Sequence, residues 1–577
     1  MSVPADYLER TYAGVLGKII GVYLGRPFEQ WSHERIMAEL GEITYYVHER
    51  MGMPLVVTDD DISGTFTFVR ALPDYGNPRD LTAEQIGQTW LNYIVENRTI
   101  LWWGGMGNST EHTAYLRLKE GHRAPASGSA RLNTRTVAEQ IGAQIFVDSW
   151  AMVAPGDPDL AARLAQRAAS VSHDGEAIYA AQVVAVMESL AYVEGDLSKL
   201  IDAASEACRL VSIGCALMGE DFAAPKAGAR FHFELPGSVQ GFMLECDGAM
   251  HAHIENVPGH SVLGTRSLAV RWERLAQGQA LRLATATFIP PEVVQQFGYG
   301  LQASPSLYPG QTIRARLAAD TTNPAPVVCR LCIQVYGAHD RLETREGAAF
   351  MISPGEASIQ TWMLEDTGGA PIARVGVTIR AEANEGGAVY LDMLDWRGEP
   401  VVVFQRPAWE GTMWRRAWVN ATEPSDAYGW EAFRLVHNRG TGMWLTGGRE
   451  WANYSVSADI TPHLISAAGI AACVQGLARY YAFLLCQGGR LRLIKALDGE
   501  QILAEAPYDW QPERAYPMQI SVEGSRIVCR IDGQAIFSVD DDERPLMAGG
   551  IALVCADGRM ATERVDVAAA AHSSPRG

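Results

Sequence analysis

The chain has 577 residues, too many for one core and enough for about three domains. Its 48 basic and 67 acidic residues leave a net charge of −19, which opposes nonspecific association with nucleic acid or an anionic membrane. A hydrophobic fraction of 47% against 20% charged residues excludes a disordered chain, and nine scattered cysteines exclude a disulfide scaffold. No run approaches the ~18 apolar residues that span a bilayer, and Met1-Ser2-Val3-Pro4-Ala5-Asp6 lacks the basic start and apolar core of a signal peptide. The expectation is a soluble cytoplasmic protein with no nucleic-acid and no membrane partner.

In chain order, Tyr7 to Gly25 reads as an apolar helix with Gly14, Gly17, Gly21 and Gly25 on one face. Each glycine costs about 1 kcal/mol against alanine, so the stripe predicts a close backbone approach. Gly25-Arg26-Pro27-Phe28-Glu29 ends the helix, because proline forces an exit and leaves Glu29 on a loop. Pro54-Leu55-Val56-Val57-Thr58-Asp59-Asp60-Asp61 then delivers a hydroxyl and three carboxylates to one point. Crowded hard oxygens suit a divalent ion such as Mg2+ or Mn2+. The same residues also suit a helix start, with Thr58 and Asp61 spaced as a capping box. Both readings stay open on these residues alone.

Trp102-Trp103-Gly104-Gly105-Met106-Gly107-Asn108 joins two rings to a glycine loop, either a sugar platform or a tight interhelical turn, with Asn108 and Glu111 as caps of the next helix. Helical signals recur over residues 137–152, 158–170 and 176–193, divided by Ala154-Pro155-Gly156 and by the turn from Ser172 to Gly175. Asp157-Pro158-Asp159 reads as a helix start.

The glycine helix followed by Thr58-Asp59-Asp60 resembles the ADP-ribosylglycohydrolase family, whose signatures are Gly-x-x-x-Gly-x-x-x-Gly-x-Pro and Thr-Asp-Asp. The match continues through Ser127-Gly128-Ser129, Ala138-Glu139-Gln140-Ile141-Gly142-Ala143 and Ala168 to Ala177, which includes His173. The resemblance implies an all-α catalytic domain using a pair of Mg2+ (or Mn2+) ions to hydrolyse a glycosidic bond at a ribose-like anomeric carbon. On the matching positions Thr58, Asp59 and Asp60 become metal ligands and Glu29 the loop acid of proton transfer or water activation, with Asp61 beside them as a second candidate catalytic acid. Ser127, Gly128, Ser129, His173, Trp102 and Trp103 become candidate substrate contacts. His173 equally fits an ordinary turn before a helix. An oxocarbenium-like transition state explains a carboxylate-rich pocket.

The chain also departs from the family. Gly21-Val22-Tyr23 stands where relatives often have Gly-Asp-Ala, and Asp61 where they often have Thr or Ser. A second acidic signature of the Asp-Thr-Asp or Asp-Cys-Asp type is not found after the helix-like segment from Leu197 to about Leu210. The text runs through Ser212-Ile213-Gly214-Cys215 and Gly219-Glu220-Asp221 into β-structure near Arg230. The helical domain reads as shortened.

From about residue 229 the period changes to two. Ser267 to Trp272, Gln279 to Phe288, Thr312 to Leu317 and Val389 to Leu394 read as strands, punctuated by Pro290-Pro291 and Pro309-Gly310. Residues 229–405 resemble a jelly-roll carbohydrate-binding module. Residues 406–577 resemble a concanavalin-like sandwich, with Tyr454 to Ile460 alternating and Asp498-Gly499 and Asp532-Gly533 marking hairpins. Cys329-Arg330-Leu331-Cys332 lies on a strand that sends its sulfurs to opposite faces, and His251 and His253 read as surface residues. Trp409, Trp414, Trp418, Trp430, Trp444 and Trp451 serve a sandwich core or a sugar surface.

The sequence thus predicts an N-terminal all-α domain (1–228) followed by two antiparallel β-sandwiches (229–405 and 406–577). Its expected function is Mg-dependent hydrolysis of an N- or O-glycosidic bond in a small-molecule or glycan substrate. The alternative is a catalytically impaired carbohydrate-binding or scaffold protein, and the oligomeric state is left open.

Overall fold

A computed structural model describes residues 3–29, 31–55, 57–201, 203, 230–233, 237–246, 251–276, 279–288, 303–381, 386–423 and 431–570. The expectations for Val56, the end of the segment after Leu197, Ser212 to Cys215, Gly219 to Asp221, Pro290-Pro291 and Trp430 lie outside them. Two compact units divide the chain, Met1–Ala223 with Glu292–Leu301, and Ala224–Pro291 with Gln302–Gly577. Among the described residues no helix is long and apolar enough to cross a membrane.

The described part of the first unit is helical. Its core is built around Phe68, which stacks on Trp90 at 4.2 Å and takes Phe146 edge-on at 5.5 Å. Trp90 is placed by the helix Ala83–Tyr93, whose start is fixed by a capping box between Thr82 and Gln85. The helices Pro158–Ala169 and Glu176–Leu190 pack together through Ala161, Ala165, Ala181 and Ala185, all fully buried. Small side chains at these positions bring the two backbones close. Asp157 caps the first of the pair through Leu160 N–H at 3.0 Å, with Pro158 at its first position.

The expected helix over 137–152 is instead three separate turns, Arg135–Ala138, Gly142–Ile145 and Asp148–Met152. The helix Tyr7–Gly25 forms as expected but contains no buried residue. One face is held by polar side chains, with Tyr7 Oη donating to Met152 O at 3.0 Å and Lys18 Nζ to Ile145 O at 2.9 Å. Among the described residues the glycine stripe receives no other backbone. A Cβ added at Gly14 meets Met152 Cε at 3.1 Å, but at Gly17, Gly21 and Gly25 it meets no described atom within 4 Å. The lower three glycines face open space.

The second unit is antiparallel β-structure; its described helical pieces are the short turns Ala338–Asp340 and Met413–Arg416. One sandwich pairs two six-stranded sheets. The first orders Ala357–Met363, Thr312–Ala319, Gly387–Arg397, Arg266–Trp272 and Ala252–Pro258, and the second Met243–Cys246, Leu281–Ala286, Ile372–Ala381, Val327–Tyr336 and Leu342–Glu346. Period-two alternation sends Leu268, Val270, Leu317 and Leu391 inward against Leu283, Leu331, Val375 and Val377. Cys329 enters this core; Cys332, three residues along the same strand, does not, although it too is buried. His251 and His253 are exposed.

A thirteen-stranded system forms the other sandwich. Tyr454–Pro462 pairs with Tyr516–Glu523 and Arg564–Ala569 along most of its length, while Thr461 and Pro462 pair with Ala561 and Met560 of Gly550–Thr562. That strand turns the corner from one sheet into the other. The hairpins at Asp498-Gly499 and Asp532-Gly533 place both aspartates at positive φ, 55° and 50°. Trp414, Trp418, Trp444 and Trp451 lie in the core, so these four serve packing. Val402–Gln405 belongs to this second sandwich through pairing with Arg564–Ala569.

Candidate active site

Pro27, in the single turn Arg26–Phe28, redirects the chain out of the first helix and leaves Glu29 exposed. Opposite it begins the helix Asp60–Phe68. Its cap is Asp59, not Thr58: Asp59 Oδ1 accepts the Asp61 N–H at 3.0 Å. The expected capping box is therefore replaced by a cap one residue later. The capping turn points Asp60 and Asp61 along the first helical turn, where the macrodipole favours carboxylates. Gly17, Lys18, Gly21, Val22, Gly25, Arg26, Glu29 and Asp61 line one open cleft of about 350 Å³.

Ligand oxygens of Asp59, Asp60 and Asp61 lie within 4.8 Å of one another. The crowding shows in their titration. Burial, then the charges of Asp61, Asp59 and Glu111, push Asp60 up to about 7. Burial and Asp59 push Asp61 up to about 6, with Lys18 opposing and Glu29 and Asp148 adding to the rise. Lys18 Nζ sits 3.0 Å from Asp148 Oδ2. Arg26 Nη1 donates to Asp59 Oδ2 at 2.6 Å and to Thr58 O at 3.0 Å.

This arrangement tests the expected metal ligands. Asp59 is buried, with one oxygen on the Arg26 guanidinium and the other on a backbone N–H. A carboxylate has about four lone-pair sites, so these two bonds leave Asp59 acceptor capacity, with Arg26 as a competing cation at one oxygen. Asp59, Asp60 and Asp61 each offer one oxygen to a common ion, and Thr58 precedes them in sequence.

The other expected contacts are divided between the interior and the surface. Ser127 is buried with its hydroxyl on Val171 O at 2.7 Å. A Cβ on Gly128 would stand 2.5 Å from Ser172 C and 2.6 Å from His173 N, so only glycine fits where these segments cross. Ser129 turns its hydroxyl back onto Ala126 O at 2.9 Å. Trp103 packs edge-on against Tyr115 at 5.6 Å, while Trp102 remains 46% exposed. The cap of Thr110–Lys119 is Ser109, which accepts the His112 N–H at 3.1 Å; Asn108 instead closes the glycine loop onto Gly104 O.

Glu111 is the residue sequence reasoning passed over as a cap. It is buried, accepts from Ser109 Oγ at 3.1 Å, and its pKa is raised by burial. His173 Nε2 lies 3.7 Å from Glu111 Oε1 and has no hydrogen-bond partner among the described residues, while Nδ1 pairs with Ser172 Oγ at 2.7 Å. Burial pushes His173 down to about 3. Glu111 thus forms a buried layer behind Asp60, and the signal that could have located it is Gly142, where a Cβ would fall 1.7 Å from Glu111 Oε1.

Residues 3–257 match the profile of the ADP-ribosylglycohydrolase family. No curated protein matches the chain. Among solved structures, the carbohydrate-binding module CBM66 from Bacillus subtilis is similar at 15% identity, covering 26% of this chain and 94% of its own, with a TM-score of 0.24. The CBM22-1 xylan-binding domain of Paenibacillus barcinonensis Xyn10C is 13% identical, covering 29% and 90%, with a TM-score of 0.20. Caenorhabditis elegans galectin LEC-6 is 11% identical, covering 23% and 95%, with a TM-score of 0.19.

Proposed function

We propose that the helical unit hydrolyses an N- or O-glycosidic bond of a ribosyl- or sugar-containing substrate in the cleft between the first helix and the Asp60–Phe68 helix. One observation carries this reading: Glu29 and Asp61 line the same cleft, floored by glycines that leave room for a sugar ring. Hydrolysis at an anomeric carbon needs a proton donor to the leaving group and a second carboxylate for water or for the developing cation. Asp61, raised to about 6, holds a proton into the mildly acidic range and is the donor. Glu29, exposed on the facing loop, orients water. Asp60, raised to about 7, keeps its proton over the same range beside Asp61. Thr58, Asp59 and Asp60, with Asp61 beside them, would hold Mg2+ or Mn2+, which would supply Lewis-acid stabilisation, and none of these steps is routed through it.

The second reading is a catalytically impaired carbohydrate-binding or scaffold protein, favoured by the engagement of Asp59 with Arg26. We assign carbohydrate binding to the two sandwiches that follow residue 228, divided near residue 405 with Val402–Gln405 paired into the second, and the ligand is a small molecule or glycan. A cytoplasmic location is supported by the described cysteines, which are all unpaired thiols. The deciding experiment measures sugar release from ADP-ribose conjugates, nucleosides and glycosides across pH 5 to 8. Turnover that Glu29→Gln and Asp61→Asn each reduce by about 100-fold supports the hydrolase. No release from any class, or release indifferent to both substitutions, favours the binding protein.

A further inference from the structure

We infer that Arg26 is the resident counter-ion of Asp59, so that a divalent cation must compete with the guanidinium for this carboxylate. The inference deepens the proposed function at the same cleft and rests on its acids being the functional ones. A buried carboxylate must be paired. Asp59, 7% exposed, has its pairing supplied from within the chain, by the Arg26 guanidinium. One guanidinium nitrogen spans Thr58 O and Asp59 Oδ2, two consecutive positions of the expected ligand run.

The tether is short and stiff. Arg26 sits in a single helical turn whose next residue, Pro27, is buried with its φ fixed, so the guanidinium is held near Asp59 at a high effective concentration. The strand it meets is docked independently, by Tyr23 Oη on Val57 O at 2.8 Å. Lys18 places a second fixed cation beside Asp61 through its pairing with Asp148. The repulsion that would recruit ions to three adjacent aspartates is thus partly cancelled by two side chains of the first helix and its exit turn.

Calorimetric titration of the full chain with Mn2+ and with Mg2+ tests this, comparing wild type, Arg26→Gln and the double variant Arg26→Gln/Asp59→Asn. Arg26→Gln should bind Mn2+ about tenfold more tightly than wild type, and the double variant should lose that gain. Melting with chelator should lower the stability of Arg26→Gln relative to its Mn2+-loaded form and leave wild type unmoved. Equal affinity of wild type and Arg26→Gln would overturn the inference, as would tight binding that survives in the double variant. Should Arg26→Gln fail to fold, Arg26→Lys keeps a charge but loses the planar fork, and about a threefold gain is expected; no gain overturns the idea. Turnover is not read in this test. A failed hydrolase assay therefore leaves it intact, and its own failure leaves the Glu29 and Asp61 roles standing.

Discussion

His173 Nε2 faces Glu111 Oε1 at 3.7 Å with both side chains buried. The imidazole is held neutral, its pKa pushed down to about 3 by burial, whereas the unfolded chain protonates it near 6.5. Between those values the unfolded state binds more protons, so stability falls as pH falls through the window. Each pH unit inside it costs the wild type up to ~1.4 kcal/mol. His173→Asn, which keeps a polar side chain without a titrating ring, should flatten the decline in melting temperature between pH 6.5 and 4. Parallel declines in the two proteins would show that His173 does not carry the acid sensitivity.

Glu188 predicts the opposite limb. Burial and the neighbouring Asp148 raise its pKa well above the ordinary 4.5, so the folded state holds a proton the unfolded state releases. Stability therefore falls as pH rises from about 4.5. Glu188→Gln should raise the melting temperature of the helical unit more at pH 8 than at pH 5. A gain of the same size at both pH values would assign the effect to packing.

Two glycines of the helical unit should respond in opposite directions. Gly128→Ala forces a methyl against the backbone of Ser172 and His173, which cannot give, and should cost about 1–3 kcal/mol. Gly21→Ala meets no described atom within 4 Å inside a helix, and should stabilise by about 0.5–1 kcal/mol. Because Gly21 lines the cleft, the same substitution should weaken ligand binding there. Chemical denaturation of both variants, with a sugar-release or binding assay on Gly21→Ala, checks the pair.

Tyr308, from the first sandwich, is buried in the core of the second. It meets Trp451 at 4.7 Å, and its hydroxyl bonds with Thr446 Oγ1 at 3.1 Å and accepts from Gly447 N–H at 3.0 Å. Trp451→Ala should cost about 3–5 kcal/mol and lower the melting of both sandwiches together, read by calorimetry as one shifted transition. Two transitions, of which only one moves, would show that the sandwiches are energetically independent.

Local chemistry explains what the sequence could reveal of the site. Pro27 ejects the chain and an apolar run delivers acids to a helix start, both effects acting within a few residues, so Glu29 and Asp61 could be singled out. The partner of Asp59 could not, because Arg26 is 33 positions away and ion pairing of that span depends on the finished fold. The glycine stripe misled for a related reason: small residues permit close packing but do not require it, and here they border open space. Ser127 and Gly128 lie at a crossing of segments, which a sequence motif does not reveal because it does not distinguish a residue that packs from one that binds. The period-two pattern revealed the sandwiches, but not the insertion of Tyr308 into its neighbour's core.

The corner strand Tyr454–Pro462 carries a mechanical consequence. Because it is hydrogen-bonded into both sheets of its sandwich, the two layers cannot slide or hinge apart without breaking main-chain bonds along it. An oligosaccharide cannot wedge between them as into an opening clam, so any recognition by this body is confined to its rigid outer faces and rim loops. Such a surface selects ligands by the shape they already have in solution.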